Sequence, residues 1–144
     1  MLILNPRLVT LGGSSLRDVQ AISIEREAKR LITEFTDAGP HVAFADVPEQ
    51  IVRATITQDL MDGAPDGPRP GESLALSFVS SPTGSDSGRL RWSASGVVTR
   101  SSHEIVTGGR GVGARRTIEL VLVSSNGSTD PVTVAPAGDI GGEP

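Results

Sequence analysis

Cysteine is absent from this chain of 144 residues. That excludes a disulfide framework, a thiolate metal site and a cysteine nucleophile, so packing and assembly are left to supply stability. Tyrosine is also absent, and aromatics amount to 3% (Phe35, Phe44, Phe78 and Trp92) within a hydrophobic fraction of 37%. The core must therefore be built of Val, Ile, Leu and Ala, a composition that suits strands better than helices. Lysine occurs once, at Lys29, and every other basic residue is arginine. No apolar run is long enough to span a membrane, and Asn5-Pro6 ends the apolar opening of residues 1–4 too soon for a secretory segment, which implies a protein made and kept in the cytoplasm.

What is present is punctuation and charge asymmetry. Seventeen Gly and ten Pro favour many short elements joined by turns. The net charge of −4 lies entirely in the first half: residues 1–72 carry eleven acidic against seven basic side chains, and residues 73–144 carry six of each. A protein that grips nucleic acid shows the opposite, a basic stripe that displaces condensed counterions.

Four segments alternate with a period of two, the mark of half-buried strands. In residues 51–58 the inward set is Val52, Ala54 and Ile56; in 73–80 it is Leu74, Leu76 and Phe78. Residues 89–99 set Leu90, Trp92, Ala94 and Val98 against Arg91, Ser93 and Ser95, with an extension through His103 to Val106. In 115–124, Ile118, Leu120 and Leu122 share one side, while Thr117, Glu119, Val121 and Val123 share the other, so this strand should be central or covered by a neighbouring subunit. Turn chemistry separates the runs at 63–71, 82–88, 108–113 and at Ser125-Asn126-Gly127-Ser128. One domain over residues 1–136 with a Gly-rich tail at 137–144 is expected. Residues 19–36 are ambiguous: Ile24, Ala28, Leu31, Ile32 and Phe35 fall on one helical face, between a capping Ser23 and a closing Gly39.

No constellation for chemistry stands out. His41 and His103 lack a short ligand spacing, there is no GxSxG elbow for a serine nucleophile, and the glycine cluster at 108–113 lacks the lysine and the following helix of a phosphate loop. Glu25 and Glu27 share a strand face without any sign of a substrate cleft, the pattern of a solvated charged face. The reading is of a protein that is not an enzyme and carries no cofactor or metal.

Three stretches resemble a known family: residues 23–60 (SIEREAKRLITEFTDAGPHVAFADVPEQIVRATITQDL), residues 80–89 (SSPTGSDSGR) and residues 115–134 (RRTIELVLVSSNGSTDPVTV). Their order and wording are similar to bacteriophage tail tube proteins of the superfamily that includes secretion-system tubes. The resemblance implies a mainly β fold, an antiparallel barrel or sandwich of the tail tube type with room for one short helix, assembled as a hexameric ring with a shared central β-barrel. It implies that residues 19–36 form strands, 19–27 and 30–36, in the wall of the tube. Residues 61–71 (MDGAPDGPRPG), where many tube proteins carry a helix, hold too much proline for one.

Functionally the resemblance implies a virion protein, assembled in the host cytoplasm, whose stacked rings conduct genomic DNA without binding it specifically. Its other partners would be tail components: a sheath if the tail contracts, the baseplate, a terminator and a tape measure. Glu25, Glu27 and Glu34 are then candidates for lining the channel, where acidic groups let phosphate slide. Subunit and ring contacts fall to Pro40, His41, Phe44, Asp46 and Pro48, in a loop expected over 37–50, and to Val121 and Val123. Competing expectations are a tube initiator, terminator or baseplate protein of the same fold, a monomeric β-sandwich binding module, for which Trp92 alone is a poor aromatic platform, and a small hydrolase.

Overall fold

The structure is a computed structural model that describes residues 1–60, 67–81, 88–108 and 111–137. Among these there are nine strands and no helix: β1 (Leu2–Leu4), β2 (Arg7–Leu11), β3 (Ser14–Ser15), β4 (Val19–Phe35), β5 (Val42–Leu60), β6 (Ser73–Ser80), β7 (Leu90–Gly108), β8 (Gly111–Leu122) and β9 (Thr133–Pro136). All pair antiparallel in one sheet of order β1-β4-β5-β8-β7-β6-β2-β3, and β9 adds to β7 beside residues 90–93. The expected turns at 63–66, 82–87 and 109–110, and the tail at 138–144, lie outside the described residues.

One face of this sheet makes the core because alternation is strict where strands overlap. Ile22, Ile56 and Ile118 stand side by side across β4, β5 and β8; Ile24, Ala54, Leu120 and Val98 form the next row. All seven are 0–2% exposed. At the other end of the sheet Val9, Leu11, Leu76, Phe78 and Trp92 join the same cluster, so the sheet curls over itself. Phe78 and Trp92 are direct cross-strand partners whose rings stack 5.8 Å apart, and the indole Nε1 donates to Ser80 Oγ at 2.8 Å. Trp92 is thus a core residue and no binding platform.

Curling brings the two ends of the sheet together without joining their ladders. β1 at one end leads through Asn5-Pro6 directly into β2 at the other, and β3 returns through residues 16–18 to β4. Among the described strands no pairing closes this seam, so the expected barrel is an open sheet in the single chain. Non-glycine residues with positive φ stand in or beside the crossings: Asn5, Leu8 and Asp18 have φ of 50°, 51° and 56°. Leu8 lies at the register shift between Arg7 and Thr10, a bulge conformation more often given to glycine.

The central position expected for residues 115–124 is found: β8 lies between β5 and β7. Two other expectations are corrected. Residues 19–35 form neither a helix nor two strands but one 17-residue strand, interrupted only by shifts in pairing near Gln20, Lys29, Leu31 and Phe35. The helical spacing of Ile24, Ala28, Leu31, Ile32 and Phe35 is overridden because, of these five, only Ile24 reaches the core, two residues from the buried Ile22. The loop expected over 37–50 is mostly strand, since β5 begins at Val42 and the turn is confined to 36–41. Asp46-Val47-Pro48-Glu49 reads as turn chemistry, but it makes a bulge, where an unpaired residue accommodates a proline that has no N–H to give. The extension expected beyond Thr99 through His103 to Val106 is found: β7 runs on to Gly108, and the shift at Thr99 bends it as it passes from β6 to β8.

Candidate assembly surface

The strand lengths leave large parts of the sheet without neighbours. β4 pairs with β5 along its whole length, but β8 pairs with β5 only from Arg53 to Leu60, so residues 26–35 and 42–52 project beyond β8 as a two-stranded arm. Every described position of β4 from Glu25 onward is exposed. A lone two-stranded ribbon is marginal in water, and this one presents Leu31, Phe35, Val42 and Phe44 at 47–61% exposure, with Ile32 at 36%. Large apolar side chains left exposed together on one short ribbon mark a site of interaction.

The face of β4, β5, β8 and β7 turned away from the core is polar. Cross-strand rows place Glu25, Arg53, Val121 and Val97 together, then Ser23, Thr55, Glu119 and Arg100, then Ala21, Thr57, Thr117 and Ser102, then Asp59, Arg115 and Glu104. Glu27 bonds Arg53, Arg100 lies 3.7 Å from Glu119, and Arg115 lies 3.7 Å from Asp59. These pairs are largely exposed, so each contributes at most about 1 kcal/mol. Glu25, Glu27, Asp59, Glu104 and Glu119 outnumber Arg53, Arg100 and Arg115, leaving this face acidic on balance.

The single buried cation belongs to the opposite, core-facing side among the described residues. Arg116 donates from Nε and Nη2 to Gln58 Oε1 at 3.2 and 2.7 Å, and Gln58 Nε2 donates to the Arg17 carbonyl at 2.7 Å. Burial lowers the Arg116 pKa below the ordinary guanidinium value. The arrangement ties β8, β5 and the seam crossing together and reads as a structural latch.

Sequence-selected residues fall in distinct places. Glu25 and Glu27 share the polar face at the foot of the arm, whereas Glu34 lies near its tip opposite Phe44, beyond two shifts in register. Pro40 and His41 occupy the turn; Phe44, Asp46 and Pro48 lie on β5. Val121 is half-buried in mid-sheet between Arg53 and Val97, while Val123, just past β8, is 52% exposed. The structure thus gathers Phe44 and Glu34 on the arm and leaves Val121 and Val123 apart from it.

Sequence reasoning passed over Leu31, Ile32, Phe35 and Val42 as surface residues, because a helical reading puts most of them on a core face. It also passed over Met1 and β1, where Met1, Leu2 and Leu4 are 60–66% exposed. Short apolar stretches without alternation gave no signal for either. A groove of about 570 Å³ separates the foot of the arm from the loop at 124–131, lined by Arg26, Gln50, Ser128 and Asp130; Arg26 and Asp130 pair across it at 3.1 Å. That loop is fixed from within by Asn126, whose Oδ1 accepts from the backbone N–H groups of Ser128 and Thr129, both at 2.9 Å. Compared with protein-family models and with curated proteins, the chain matches none.

Proposed function

We propose that this chain is a self-assembling structural subunit of the phage tail tube type, whose copies join in rings, six to a ring, and stack into a hollow conduit for DNA in a virion tail. The observation that carries the reading is the β4–β5 arm: a ribbon with apolar side chains exposed on it and little of its own core is stable when another copy covers it. Unpaired strand edges support the same reading, because an open sheet with free edges is completed by copies of itself. The four strands β4, β5, β8 and β7 alternate in direction, so the outer edge of β4 on one copy meets the outer edge of β7 on the next antiparallel, and the alternation continues around a closed ring.

With that wall closed, its polar face would line the bore, and the excess of carboxylates would keep duplex phosphate from adhering. Glu25 and Glu27 stand on this face, and the tail partners named for the family follow from the same reading. Negative-stain electron microscopy of the purified protein tests it. Rings or tubes with a stain-filled bore are expected; a monomer at every concentration contradicts it.

A further inference from the structure

The free edges of the four-stranded wall are offset, and the offset fixes how two copies can meet. Resting on the assembly reading above, we propose that adjacent copies join with a stagger of four residue rows, which sets Glu27 of one copy opposite Arg100 of the next and Glu25 opposite Ser102. Ile24, Ala54, Leu120 and Val98 lie in one row across the wall. At and below this row the outer edge of β4 is occupied: β1 pairs with Ala21–Ser23, and Met1 exchanges hydrogen bonds with the Ile24 backbone at 2.7 and 2.8 Å. At and above it the outer edge of β7 is occupied: β6 pairs up to Val97, and Val98 bonds Glu72 and Gly71 at 2.9 and 2.8 Å. Free β4 edge therefore begins at Glu25 and runs toward the arm, and free β7 edge begins beyond Val98 and runs the other way. Copies set level with each other would oppose a free edge to an occupied one at every height.

A stagger of an odd number of rows would place polar-face residues opposite core-face residues, so only even steps keep the faces matched. Two rows bring only Glu25 against Arg100. Six rows set Glu25 against Glu104 and Arg30 against Arg100, like charges directly opposed. Four rows set Glu27 against Arg100, with Arg26 beside Ser101 and Glu25 beside Ser102. Geometry agrees: four strands at about 4.8 Å make a wall ~19 Å wide, and four rows raise the next copy by ~14 Å. The strands then tilt by about 35°, within the range that closed barrels adopt, whereas two rows give a tilt of about 20°. β1 and residues 71–72 act as stops that exclude a level joint, and charge and tilt choose among the staggers that remain.

Because the chain has no cysteine, introduced thiols report the joint directly. In one copy positions 25 and 102 are three strand spacings (~14 Å) apart across the sheet and four rows (~14 Å) apart along it, ~20 Å in all and too far for a disulfide, so any bond between them links two copies. Assembled protein carrying Glu25→Cys with Ser102→Cys is oxidised and run on a non-reducing gel, beside protein carrying Glu25→Cys with Glu104→Cys, both having first been shown to melt as the parent does. A ladder of covalent multimers from the first pair, with monomer from the second, is expected. Particles that give no ladder from the first pair, or a ladder from the second alone, overturn the register while the assembly reading stands. Parent protein that never forms particles overturns both.

Discussion

Replacing Phe44 by Asp separates the arm's part in assembly from its part in folding. Phe44 is 51% exposed and lies outside the core cluster, opposite Glu34 on β4. In the isolated chain the exchange loses little buried area and adds a like-charge neighbour, so it should cost about 0.5 kcal/mol and lower Tm by about 2 °C. In an assembly that covers the arm the cost is larger. Full burial of a Phe side chain is worth ~1.5–3 kcal/mol, and the half still exposed accounts for about 1 kcal/mol of that. Enclosing a carboxylate without a partner adds ~2 kcal/mol or more. A total near 3 kcal/mol per joint corresponds to roughly a hundredfold rise in the concentration at which particles appear, at ~1.4 kcal/mol per factor of ten. Pelleting assays over a concentration series, with thermal melts alongside, read both quantities. Wild-type pelleting by a folded Phe44→Asp chain would refute the assignment of the arm as a contact.

Three further outcomes follow from particular contacts. Gly96→Ala should destabilise by ~2 kcal/mol, since a Cβ there would sit 2.7 Å from the Val121 carbonyl oxygen in the partner strand; a thermal melt unchanged from wild type would count against that packing. Gln58→Leu removes the acceptor of two Arg116 N–H groups and should cost ~2–3 kcal/mol in chemical denaturation, more than the same change at an exposed position. Changing Glu25, which meets Ser102 rather than Arg100 at the joint, to Arg should make assembled particles retain duplex DNA at low salt and release it as salt rises, where wild-type particles retain none; equal retention by the two would remove Glu25 from the bore.

The sheet was legible wherever one face is buried and the other wet. Val52, Ala54 and Ile56, or Ile118, Leu120 and Leu122, declare their strands because the side-chain period of two survives intact against a core. The arm was not legible in this way. Beyond Ile24 no core enforces alternation, so Ala28, Leu31, Ile32 and Phe35 took a spacing that fits a helix, and only pairing with β5 decides the conformation. Pro48 likewise reads as a loop in isolation, although a bulge gives it a place inside a 19-residue strand. β1, β2, β3 and β9 span two to five residues each and depend on partners remote in sequence, which no local pattern announces. Of the candidate surface, the acidic pair Glu25 and Glu27 and the apolar Phe44 could be chosen from sequence. The significance of Arg100 rests on a register that only the folded sheet defines.

The central claim is that this open, edge-bearing sheet is completed by copies of itself around a channel. Electron microscopy of the purified chain, over a range of concentrations, measures that most directly. Rings or tubes of uniform diameter with a central channel are the predicted result, and a population of single subunits at all concentrations would contradict it.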